Sequence, residues 1–74
     1  MVMFYMRKCK SCIALKRLMD SLGLKAQLIN IESLKGSEAA RVSGIRAVPT
    51  LVHKDRMVVG AISKSQLEEF ISDD

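Results

Sequence analysis

The 74-residue chain has no tryptophan, one proline, one histidine, four glycines and two cysteines. Each scarcity excludes something. The glycines are scattered, with neither GxxxxGK[ST] nor GxGxxG spacing, so no phosphate-cradling loop is written here. The only aromatics are Phe4, Tyr5 and Phe70, and they do not interleave with the basic residues, which argues against a base-stacking nucleic-acid surface. The single histidine, His53, and two thiols cannot close a four-ligand zinc site without a carboxylate. No apolar run approaches the ~20 residues of a membrane span, which argues against a membrane protein. The apolar opening from Met1 to Met6 is too short for a secretory h-region, and its basic residues follow it, so the expected compartment is the cytoplasm. A bridge between cysteines three apart would close almost no loop, so the pair is not a structural disulfide. In a reducing compartment such a pair is read as catalytic or metal-binding.

What is present is enough for a core. Hydrophobic residues make up 49% of the chain, and residues 1–74 are expected to form one domain. The net charge of +4 is unevenly spread. Arg7, Lys8, Lys10, Lys16, Arg17 and Lys25 face only Asp20 in the first 25 positions, while Glu68, Glu69, Asp73 and Asp74 crowd the other end. Lys16 and Arg17 read most simply as a solvated helix face.

Periodicity orders the chain. Val2 to Tyr5 is a short apolar, β-prone run, read as a buried strand. Leu15, Leu18, Met19 and Leu22 follow the i, i+3, i+4, i+7 spacing of an amphipathic helix, which Gly23 ends. Leu24 to Ile31 predicts a second strand, with Leu24, Ala26 and Leu28 on one face, and a helix between two strands implies a parallel crossover. Ser37 to Ser43 predicts a short helix that stops at Gly44. Pro49 to His53 and Met57 to Val59 predict a hairpin turning over Lys54-Asp55-Arg56, with His53 an exposed strand residue. Ser63 and Gln66 have capping-box spacing, and Leu67, Phe70 and Ile71 form the stripe of a last helix. Met1, Met3, Met6 and Met57 read as core filling.

Cys9 and Cys12 straddle the start of the first helix. Unpaired amides and the helix dipole there favour thiolate over thiol, and Lys8 and Lys10 are expected to add to this. The pKa of Cys9 should therefore fall below the ~8.5 of a free thiol. A thiolate at position 9 can attack a disulfide, and a second thiol one turn on can resolve the mixed disulfide. Two other readings use the same pair: a soft-metal carrier for copper or zinc, and two inert core thiols.

Three segments in order resemble the thioredoxin family. They are the strand–Cys9-Lys10-Ser11-Cys12–helix opening, Ser43-Gly44-Ile45-Arg46-Ala47-Val48-Pro49-Thr50-Leu51, and Val59-Gly60-Ala61-Ile62-Ser63-Lys64-Ser65-Gln66-Leu67. The chain resembles a thioredoxin trimmed to a glutaredoxin-size core. The resemblance implies an α/β fold: a minimal thioredoxin fold, βαβαββα, with a central mixed four-stranded sheet and helices on both faces. It implies reduction of protein disulfides by a monomer with no bound cofactor, Cys9 acting as nucleophile and Cys12 as resolving thiol. Lys10 and Ser11 would lie at the substrate, Pro49 would be a cis-proline facing the cysteines, and Val48 would pair with an extended substrate segment. Gly60 and Ala61 would line a groove beside the site. Lys8 stands where thioredoxins have tryptophan, and Met3 where they have a buried acid. Val59-Gly60-Ala61-Ile62 replaces the G-G-x-[DS] segment with which glutaredoxins hold glutathione. A flavoprotein disulfide reductase is therefore expected as electron donor ahead of glutathione.

Overall fold

Met3 and Phe4 are both almost fully buried, although neighbours on a strand point to opposite faces. A strand buried on both sides must run inside a sheet that is covered on both sides. The structure, a computed structural model, describes residues 1–72, so Asp73 and Asp74 lie outside the described residues. Its elements are β1 (Val2–Tyr5), α1 (Lys10–Ser21), β2 (Gln27–Asn30), α2 (Leu34–Val42), β3 (Thr50–His53), β4 (Arg56–Val59) and α3 (Lys64–Ile71). The strands form one sheet in the order β2-β1-β3-β4. β1 pairs parallel with β2 and antiparallel with β3, and β3 pairs antiparallel with β4. This is the mixed four-stranded α/β architecture that the resemblance to the thioredoxin family implied.

One core cluster joins Met3 of β1 and Leu51 of β3 to Cys12, Leu15 and Met19 of α1 and Leu67 of α3. Met3 and Leu51 are register partners, so α1 and α3 share one face of the sheet. Phe4, Thr50 and Ala40 of α2 are buried outside that cluster, on the opposite face. Cys12 is thus a member of the core, and the helix that carries it is anchored by Leu15 and Met19 three and seven residues further on.

Local chemistry sets the ends of the helices. Gly23 and Gly44 take positive φ, and each allows a paired return of the chain onto the helix it ends. Leu24 N–H donates to the Met19 carbonyl and Gly23 N–H to Asp20, while Ile45 and Gly44 donate to Ala40 and Arg41 in the same way. Ser63 and Gln66 form the expected capping box at the start of α3.

Several boundaries differ from the sequence expectation. The second strand spans only Gln27–Asn30, and Leu28 is 44% exposed on this edge strand, while Leu24 and Ala26 do pack on the core. α2 begins at Leu34, not Ser37, because Ser33 is its cap. The Ser33 hydroxyl accepts from Gly36 N–H at 2.9 Å and donates to the Asn30 carbonyl at 2.8 Å, which ties the helix to the end of β2. Arg56 belongs to β4 opposite His53, so the turn is the two residues Lys54-Asp55, with Lys54 at φ 58°. His53 is half-buried rather than exposed, because its ring packs at 6.2 Å against Phe70, and Arg56 lies over the same ring. Met3 fills the core, but Met6 and Met57 are exposed, since they stand at the loop after β1 and on the edge strand β4.

Gly36 sits inside α2, where propensity alone would favour alanine. A Cβ there would collide with the Asn30 carbonyl and the Ser33 hydroxyl, so the α2–β2 junction must open to admit one. Gly36→Ala should destabilise the protein by about 1–3 kcal/mol, despite the better helix former. Thermal unfolding followed by circular dichroism checks this, and an unchanged or raised midpoint would show that the junction is not tight.

Candidate functional site

β1 delivers the chain to the site. After Tyr5 it turns through Met6–Lys8, and the Arg7 amide is held by a Glu32 carboxylate oxygen at 3.0 Å. Nothing in the pattern of the sequence marked Glu32, which lies 25 residues from Arg7. Cys9 follows with extended backbone, φ −88° and ψ 111°, and is the N-cap of α1. A cap residue normally offers a side-chain oxygen to the free amides of the first turn. Here the acceptor is sulfur: Cys12 N–H points at Cys9 Sγ from 3.2 Å. The Ser11 hydroxyl lies 3.3 Å from the same atom.

These contacts make the two sulfurs unequal. The Cys12 thiol is the largest influence holding the Cys9 pKa below its ordinary value, followed by the Ser11 hydroxyl, with the backbone amides of both residues adding to them. All four donate to the charged form and so favour it. The sequence pointed to Lys8 and Lys10 as the flanking influence; both are exposed, and hydrogen bonds dominate instead. Cys12 moves the other way. Burial pushes its thiol up to about 11, and donating to Cys9 while facing its charge adds to the effect. Cys12 is 3% exposed, whereas Cys9 reaches solvent. Both are free thiols.

The other candidate residues are distributed as follows. Lys10 is exposed and opens α1. Ser11 acts on the Cys9 sulfur directly, a role that its spacing alone did not reveal. The Val48–Pro49 peptide bond is cis, Pro49 is buried, and Val48 and Cys9 pack on the same core cluster. Gly60 N–H donates to the Pro49 carbonyl at 2.8 Å, fastening the turn after β4 to the proline. Ala61 is exposed beside it. Thr50 Oγ1 donates to the Ala47 carbonyl at 2.6 Å and secures the approach to the proline from inside.

A cleft of about 230 Å³ opens next to Cys12, but Gly60 and Ala61 are not among its walls. It lies on the other side of the site, between α1 and the β1–β2 edge, floored by Met3, Tyr5 and Leu28 and bordered by Ile13. Met3 thus occupies the space behind Cys12. Among the described residues, Thr50 is the one buried polar or charged side chain, so no acid is buried beside the second thiol. Nor do any three His, Cys, Asp or Glu side chains among them form a group able to hold a metal ion. No helix among the described residues is long and apolar enough to cross a membrane.

The unequal thiols predict unequal alkylation. Because the Cys9 pKa is lowered, its thiolate is present at lower pH than that of an ordinary thiol, while Cys12 stays protonated until the pH approaches about 11. Iodoacetamide at neutral pH should modify Cys9 and spare Cys12. Ser11→Ala removes one donor to the thiolate, so the Cys9 rate profile should move to higher pH and the rate at pH 7 should drop by about two- to fivefold. Peptide mapping against pH reads both effects. Equal labelling of the two cysteines would contradict the arrangement.

Comparison with known proteins agrees with this geometry. The family model described as Glutaredoxin matches residues 1–58. A search of curated protein sequences returned no match. Among solved structures, the glutaredoxin-like protein NrdH-redoxin from Escherichia coli is similar with a TM-score of 0.74 and 25% identity, over 92% of this chain and 90% of that one. A thioredoxin from Malassezia sympodialis is similar with a TM-score of 0.77 and 24% identity, over 95% of this chain and 69% of that one. A glutaredoxin from Archaeoglobus fulgidus has a TM-score of 0.74 and 22% identity, over 95% and 83% of the respective chains. The latter two likenesses concern the fold. With 58 of its residues matched by the family model, on a thioredoxin-like sheet with its thiol pair at the start of α1, the chain belongs to the glutaredoxin family of thiol–disulfide oxidoreductases.

Proposed function

We propose that the protein reduces disulfides in other proteins by a dithiol mechanism, with Cys9 as nucleophile and Cys12 as resolving thiol. The observation that carries this reading is the polarised pair: an accessible sulfur held toward thiolate by four donors, and a buried partner that is one of those donors. The Cys9 thiolate attacks one sulfur of the substrate disulfide. A Cys9–substrate disulfide forms, and the other substrate sulfur leaves with the electron pair and takes up a proton. Cys12 then attacks Cys9 Sγ, forming the Cys9–Cys12 disulfide and releasing the second substrate sulfur. The Cys12 proton leaves to that departing thiolate or to water, since no acid is buried beside it. Two electrons have moved from protein to substrate, and an external dithiol or hydride-fed reductase must return them.

Val48, next to the cis-proline, would pair its backbone with an extended substrate strand. Lys10, Ser11, Gly60 and Ala61 would border that strand. A flavoprotein disulfide reductase is proposed as electron donor ahead of glutathione, because Val59-Gly60-Ala61-Ile62 lacks the polar group of a glutathione-holding segment. The thioredoxin-like activity profile stated for NrdH-redoxin supports the same preference. The proposed setting is a reducing compartment, the cytoplasm, where the dithiol form persists. A soft-metal carrier would use the same two sulfurs. The small copper carriers with a comparable motif run βαββαβ, with their second and third strands in succession, whereas here α2 stands between β2 and β3.

A disulfide-reduction assay with insulin as substrate and dithiothreitol as electron source tests the reading. Cys9→Ser should abolish turnover above the reagent background. Cys12→Ser should stop after one step and accumulate the mixed disulfide, visible by mass spectrometry. Turnover that survives Cys9→Ser would refute the mechanism, and stoichiometric copper retention without turnover would favour the carrier.

A further inference from the structure

The cleft beside Cys12 has no part in the steps above, yet its wall includes the thiol that hydrogen-bonds the reacting sulfur. Its floor is apolar: Met3, Tyr5 and Leu28 from the sheet, with Ile13 at the side. Ile13 and Leu28 are 42% and 44% exposed and meet at the mouth of the same cleft, so its entrance is apolar as well. The rim is cationic, carrying Arg7, Lys16 and Arg17. Lys16 is already neutralised by Asp20 at 2.6 Å. Arg7 and Arg17 are exposed, and their guanidinium groups have no ion-pair or hydrogen-bond partner among the described residues. The one other carboxylate at this end, Glu32, accepts the Arg7 amide. Lys8 and Lys10 extend the positive field toward Cys9.

We propose that this cleft is a second substrate subsite, holding an apolar side chain from an acidic segment beside the target disulfide while Arg7 and Arg17 take the carboxylates of that segment. The inference rests on the disulfide-reductase reading and names the substrate class for it: disulfides flanked by alternating acidic and aliphatic residues. A cleft of about 230 Å³ suits one leucine-sized group with room around it rather than a folded domain. Guanidinium forks match carboxylates bidentately, which gives the rim a preference for anions over neutral polar groups. The subsite lies across α1 from Val48 and Pro49. The two chain segments joined by a substrate disulfide could therefore be engaged on either side of Cys9, one at the proline and one in the cleft.

Three disulfide peptides test the proposal. They share a core and differ in flanks: Glu-Leu-Glu, Gln-Leu-Gln and Lys-Leu-Lys. At low ionic strength the acidic peptide should show a kcat/KM about five- to tenfold above the neutral one, as expected for a small number of exposed charge pairs, with the basic peptide lowest. The advantage should shrink to about twofold or less in 0.5 M salt. The double variant Arg7→Ser/Arg17→Ser should erase the acidic-to-neutral ratio, and Arg17→Lys should retain most of it. Leu28→Ser should cut the preference for leucine over alanine in the flank without removing the charge preference. Equal kcat/KM for the three peptides, or an acidic preference that survives the double variant, overturns the proposal.

A binding experiment separates this failure from failure of the reductase reading. A serine-for-cysteine copy of the acidic peptide is titrated into the full chain and amide shifts are recorded. Shifts centred on Arg7, Ile13, Arg17 and Leu28 support the subsite whether or not any disulfide is turned over. Shifts elsewhere, or displacement of the peptide by a single-stranded oligonucleotide at lower concentration than by a second acidic peptide, overturn it.

Discussion

One sulfur atom, serving as the cap of a helix, is the constraint around which the site is arranged. Cys9 Sγ accepts from the Cys12 amide and is approached by the Cys12 thiol and the Ser11 hydroxyl. A cap made of sulfur is poorer than one made of oxygen unless the sulfur is charged, because hydrogen bonds to an ionised acceptor are the strong ones. The start of α1 and the ionisation of Cys9 therefore support each other. Anything that keeps α1 in register keeps the thiolate stabilised, and the anchors are Leu15 and Met19 in the main core.

The same core accounts for the second thiol. Cys12 belongs to the cluster of Met3, Leu15, Met19, Leu51 and Leu67, and this burial is what raises its pKa. A buried thiol that remains protonated at neutral pH is a donor to its neighbour, and in the proposed mechanism it would stay unreactive until Cys9 becomes a disulfide. Once that happens the charge on Cys9 is gone, and one of the causes that hold the Cys12 proton disappears with it. Polarisation of the pair thus depends on the redox state of Cys9. Met3 leaves the neighbourhood of Cys12 apolar, so the resolving step proposed for Cys12 would rely on this change rather than on a buried carboxylate.

The rest of the sheet brings distant backbone to the thiols. Pro49 begins the approach to β3, Gly60 binds it from the end of β4, and Glu32 grips the loop after β1. These are contacts between segments 11 to 25 residues apart, and none leaves a short-range mark in the chain. By contrast, the capping box at Ser63, the glycine stops at Gly23 and Gly44 and the apolar spacing of α1 are local devices, and their outcome in the fold matches their pattern. Where local reading failed, a neighbour had overruled it. Gly36 lies inside α2 because Ser33 caps the helix, and it must be glycine because the Asn30 carbonyl leaves no room for a side chain there, while His53 turned inward because Phe70 of α3 offered it a ring.

Amino-acid order alone was sufficient for the succession of strands and helices, for the thiol pair at a helix start, and for the family resemblance carried by the segments around Pro49 and Gly60. Those features depend on residues within a few positions of one another, where periodicity, capping and turn chemistry act. The folded arrangement added which donors command the Cys9 sulfur, how deeply Cys12 is buried, and where a cleft opens beside it. Burial and hydrogen-bond partnership are properties of neighbours in space, and in this chain those neighbours come from β1, α1, β2 and the loop before β3, which meet only once the sheet has closed.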